Sequence, residues 1–84
     1  MKVYIVQEDF DYVSENACGE EELVARRNIV GVGLSIEDAL RILDKAVEND
    51  FTEYYTVSIN DYKVVMADTE TGEIATTSFR EKRY

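Results

Sequence analysis

The chain has 84 residues, 45% of them hydrophobic, and a net charge of −9 from 18 acidic and 9 basic residues. That length suits a single domain over 1–84, and that apolar fraction excludes a disordered chain. The charge speaks against direct contact with nucleic acid or an anionic membrane, and leaves basic proteins as the natural partners.

Val3, Tyr4, Ile5 and Val6 are all apolar, β-branched or aromatic, which predicts a strand covered on both faces or nearly so. It is expected to continue through Phe10 and Tyr12, interrupted by Glu8, Asp9 and Asp11. Residues 14–22 are polar, contain Asn16 and Gly19 and end in three glutamates, as an exposed loop would. Residues 23–34 form a second extended segment, with Arg26, Arg27 and Asn28 reaching solvent or an acidic neighbour. Gly31 and Gly33 alternate with Val30, Val32 and Leu34, so one strand face has room for a closely packed element.

The helix that follows is that element. Ser35 suits its N-cap, and Glu37 and Asp38 sit in the first turn, where the helix dipole favours acids. The expected helix runs over 36–48. Ile36, Ala39, Leu40, Leu43 and Val47 make its apolar stripe, with Leu40 and Leu43 buried on the sheet and Arg41 and Asp44 able to pair.

Residues 54–59 read as a strand, Asn60-Asp61 as a tight hairpin turn, and 62–67 as the returning strand. A second hairpin loop over 68–73 places Gly72 where positive φ is needed, and 74–79 closes a three-stranded meander. The tail, 80–84, is net basic. The order is ββαβββ: an α+β domain with a mainly antiparallel sheet of about five strands and one helix on one face.

The chemistry-bearing residues are few. There is no histidine, the commonest general base and zinc ligand, and one cysteine cannot build a zinc site. Gly31-Val32-Gly33 lacks the third glycine of a dinucleotide-binding turn. Asp68-Thr69-Glu70-Thr71 resembles the first motif of exonucleases that hold two metals with several acids, but that chemistry needs further acids over a longer chain. Here Gly72 marks a hairpin loop and not a metal site. No enzyme activity, cofactor or metal is expected. Of the six tyrosines, Tyr54, Tyr55 and Tyr62 flank one hairpin, so at least one should be exposed.

The candidate binding residues are acidic: Glu8, Asp9 and Asp11 in one group, Glu20, Glu21 and Glu22 in another. If the first two segments pair across 14–22, both groups lie near one end of the domain. Seven acids face one base, Lys2, in the first 25 residues. Such a patch attracts lysine and arginine on a protein partner.

The opening Met1-Lys2-Val3-Tyr4-Ile5-Val6, and the run Gly31-Val32-Gly33-Leu34-Ser35 into Glu37-Asp38-Ala39, resemble small uncharacterised accessory proteins of phages and bacteria. The resemblance covers about half the chain and carries no active site. It implies an accessory role, in the host cytoplasm if phage-encoded. A cytoplasmic site also fits a lone cysteine, the missing apolar core of a signal peptide, and the lack of any ~20-residue apolar run. The expected function is a non-enzymatic acidic protein that engages a basic surface of a partner, with inhibition of a nucleic-acid-handling machine as its sharper form. Assembly through a sheet edge, as a homodimer, is the alternative, and a carboxylate–metal enzyme a distant third.

Overall fold

The computed structural model describes residues 1–49 and 57–78. Their order is β1 (Lys2–Glu8), β2 (Phe10–Glu15), β3 (Glu21–Arg26), β4 (Ile29–Gly33), α1 (Ile36–Asn49), a 3-10 turn (Ile59–Asp61), β5 (Tyr62–Asp68) and β6 (Ile74–Ser78). This is the expected α+β class. The main sheet has four strands in the order β4-β1-β5-β6, and β2 and β3 form a sheet of their own. All pairings are antiparallel.

The two sheets are joined as one ribbon. A single register runs from Gln7↔Ile29 in the main sheet to Glu15↔Glu21 at the far end of β2–β3. Between Val6 and Gln7 it slips by one residue, leaving Val30 as the extra residue of a bulge. A bulge bends and twists its strand, and here it bends the ribbon out of the sheet as an arm. The long segment expected over 23–34 is therefore two strands, interrupted at Arg27 and Asn28. Pairing also reaches further into 14–22 than a loop would allow.

The helix covers one sheet face. Ser35 caps it as expected, its Oγ accepting from the Asp38 amide at 3.1 Å. Arg41 pairs with Asp38 (3.1 Å) in place of Asp44, an orientation with the acid nearer the positive end of the helix dipole. Leu43 is fully buried with Ala39, but Leu40 is 39% exposed and Ile36 is exposed too. The buried stripe is instead Ala39, Ile42, Leu43, Ala46 and Val47. The glycines explain the rotation. A Cβ on Gly31 would sit 2.6 Å from Ile42 Cγ2, and one on Gly33 would sit 2.9 Å from the Ala39 nitrogen. The helix backbone closes on Gly33 and the Ile42 side chain on Gly31, and a helix seated this way turns Leu40 outward.

The core joins Val6, Phe10, Ala39, Leu43, Val57, Tyr62 and Val64. Tyr62 is buried, its hydroxyl donating to the Ala46 carbonyl at 3.5 Å, and Tyr4 and Tyr12 pack at the core's margin. Tyr54, Tyr55 and most of the strand expected over 54–59 lie outside the described residues. Although β1 is flanked on both sides, the described residues layer over only one of its faces.

Asn60-Asp61 is not a hairpin turn. Both lie in the 3-10 turn, no non-glycine among the described residues has positive φ, and Asp61 is buried. The Asp61 carboxylate accepts from the Ser58 amide (2.9 Å), and its carbonyl accepts from the Asp9 amide (2.8 Å). The first bond closes the turn on itself and the second pins it to the β1–β2 junction.

The 68–73 hairpin loop is as expected, with Gly72 at φ 76°. Asp68 organises it. Its carboxylate accepts from the Glu70 amide (2.9 Å) and the Thr71 amide (3.4 Å), and the chain's N-terminal ammonium lies 3.8 Å away. The Glu70 amide first, then that of Thr71 and the nearby positive charges, hold the Asp68 carboxyl below its usual 3.8. A depressed carboxylate stabilises the fold above its unfolded-state value, and the contribution disappears as pH falls through the folded one. Asp68→Asn should therefore lose less stability than the parent between pH 7 and the region below 3.8. Equal acid sensitivity in urea titrations of the two would refute the assignment.

A candidate acidic docking arm

The arm is built from its tip inward. Asn16 turns the chain: its side-chain oxygen accepts from the Cys18 amide (2.9 Å) and the Glu20 amide (3.0 Å), and its carbonyl accepts from the Gly19 amide (3.0 Å). Gly19 supplies the left-handed backbone, at φ 79°. This local closure sets the register, and the register places Glu15 opposite Glu21 and Ser14 opposite Glu22.

Like charges opposed across a ladder repel. Glu15, Glu20, Glu21 and Glu22 are all exposed, and no ion pair involves them among the described residues. Next inward, Val13 opposes Leu23, and these are 53% and 72% exposed. An apolar pair thus sits directly behind the acidic tip.

At the base of the arm the charges cancel. Phe10 opposes Arg26, which brings the guanidinium back over the β1–β2 junction. Arg26 forms a two-pronged pair with Glu8 (Nε to Oε2 2.8 Å, Nη2 to Oε1 2.9 Å) and lies 5.5 Å from the Phe10 ring centre. Glu8 is only 3% exposed. Arg27 reaches Asp9 (3.3 Å) and Asp11 (2.9 Å) and donates to the Phe10 carbonyl (2.8 Å).

The six acids singled out from the sequence therefore fall into two environments. Glu8, Asp9 and Asp11 are gathered at the base, paired with arginines, and Glu8 faces inward. Glu20, Glu21 and Glu22 stand at the tip, about 13 Å further along the strands. Glu15 belongs with them and was missed. Its signal was the turn: once Asn16 and Gly19 are recognised as closing a tight hairpin, Glu15 and Glu21 become neighbours. The deficit of bases in the first 25 residues is not a deficit in space, since Arg26 and Arg27 return to the base through the hairpin.

Elsewhere among the described residues shallow grooves run along α1 and β4, one lined by Val32, Leu34, Ile42 and Lys45 and another by Glu8, Val30 and Ala46. No helix among the described residues is long and apolar enough to cross a membrane. No protein-family model, curated protein or solved structure matches the chain.

Proposed function

We propose that the chain is a non-enzymatic binding protein that presents the acidic tip of its arm to a basic surface on a partner protein. One observation carries this reading: the four tip acids stand exposed, with Glu15 directly opposite Glu21, while the acids at the base are neutralised by Arg26 and Arg27. Clustered charge of one sign on a projecting element raises the encounter rate with the opposite sign and is screened by salt over ~8 Å at physiological strength. Relief of the Glu15–Glu21 repulsion adds to affinity only when a cation arrives between them. Val13 and Leu23 offer an apolar contact beside the charges, which rewards a partner carrying an apolar residue among its lysines and arginines. A nucleic-acid-handling protein has such a surface, and carboxylates in place of phosphates would block it.

With a partner isolated from the native cell by affinity purification, Glu20, Glu21 and Glu22 changed together to lysine should slow association at least ~10-fold at low salt and much less at high salt. Stopped-flow mixing measures both. An unchanged rate, with binding lost instead on altering the helix or the base of the arm, would refute the site.

A second reading, assembly through a sheet edge, has its own observation. The outer side of β4 has no strand beside it among the described residues, and Ile29–Gly33 carries no charge or proline to discourage pairing.

A further inference from the structure

The main sheet has a second face that no described element covers. Alternation turns one set of residues away from Val6, Tyr62 and Val64, which are buried on the helix side. Register then aligns that outward set across the strands. Val32, Ile5, Val65 and Thr76 form one row, and Val3, Ala67 and Ile74 the next. Ile29, Gln7, Lys63 and Ser78 make a third. Val32 is 53% and Ile74 69% exposed, and Val3, Ile5, Val65 and Ala67 on the central strands are half-buried. Phe10 and Tyr12 join the helix-side core, so the arm leans away from this face.

Among the described residues the face is also free of acids. The chain carries 18 of them, yet none lies in the three rows, where Lys63 is the one charge. The nearest acid along β1 on this side is Asp9, past the strand's end and held by Arg27 at 3.3 Å.

We propose that this face, centred on Val3, Ile5, Val32, Val65, Ala67 and Ile74, binds a second copy of the chain across a two-fold axis. Two molecules of net charge −9 repel wherever their acids meet, and among the described residues this is the sheet surface that carries none. A cationic partner is drawn to the arm and gains nothing here. A twisted apolar sheet face is complementary to its own copy: two such faces pack ~10 Å apart with strands about 30° off alignment, and a two-fold interface needs the same patch on both sides. The area sets the strength. Four strands ~4.8 Å apart and about six residues long cover roughly 400 Å² of plane per copy, before the relief of the side chains. That falls short of the roughly 600–1,000 Å² per partner of standard specific interfaces and corresponds to a weak, transient dimer.

The dimer is independent of the arm's role, and salt separates the two. Screening weakens capture of a basic partner but strengthens association of two like-charged chains. Sedimentation of the full chain from about 1 μM to about 1 mM should show a monomer–dimer equilibrium that tightens with salt. Val32→Glu with Ile74→Glu should weaken it at least ~100-fold while leaving the circular dichroism spectrum unchanged, because both side chains are exposed in the monomer. Thr76→Glu, on the same face, should weaken it as well. A monomer at every concentration and salt, or a dimer indifferent to these changes, overturns the proposal. So does a dimer broken instead by lysine at Val30 on the β4 edge or by charge reversal at the arm's tip.

Discussion

Leu43→Ala should lower the unfolding free energy by about 2–5 kcal/mol, the range for a large aliphatic side chain removed from a closed core. Leu43 has no exposure and sits among Val6, Ala39, Val57, Tyr62 and Val64. Small domains are stable by only about 0.05–0.15 kcal/mol per residue, so this one change removes a large share of the total. The informative control is Leu40→Ala on the same helix. Leu40 is 39% exposed, and its loss should cost about 1 kcal/mol or less. Urea denaturation with an unchanged dependence on denaturant reads both. Equal costs would mean that the helix is not rotated as its seat on Gly31 and Gly33 requires.

That comparison also marks where the sequence stops being legible. Two apolar stripes fit the helix with equally good spacing, one through Ile36 and Leu40 and one through Ile42 and Ala46. Periodicity cannot choose between them; the depth of the glycine seat does, and depth is a property of the packed pair. The helix with its Ser35 cap and the 68–73 hairpin follow from local patterns because local bonds determine them, while the class follows from the order of the elements and the glycine seat from Gly31 and Gly33 sharing one strand face. Asn60-Asp61 misleads because its turn-forming side chain is spent on Ser58 and its carbonyl on Asp9, a contact across more than fifty residues of chain. The acidic site divides for a similar reason. Acids can be counted along the sequence, but their neutralisation by Arg26 and Arg27 depends on hairpin register.

Arg26→Met should cost about 3–5 kcal/mol, toward the lower figure, because it strands the buried carboxylate of Glu8. The Glu8 side chain is 4% exposed and that of Arg26 25%. The asymmetry predicts an order. Glu8→Leu alone should be milder, since Arg26 lies close enough to water to be solvated, and the double variant should recover much of what Arg26→Met loses. A double-mutant cycle with a coupling energy near zero would show that the pair does not act as a unit. Stability is only half of what the pair does. An isolated two-stranded ribbon is marginal in water, and among the described residues β2–β3 has neither a third strand nor a helix along its outer half. Its direction is held at the base, by Arg26 on Glu8, Arg27 on Asp9 and Asp11, and the Glu8 and Asp9 amides on Asn28 and Asp61. Hydrogen exchange should therefore quicken in β2 and β3 of Arg26→Met at denaturant concentrations where β1 and β5 remain protected. If exchange quickens uniformly across all strands, the pair contributes to the core as a whole and the arm owes its direction to the backbone bulge alone.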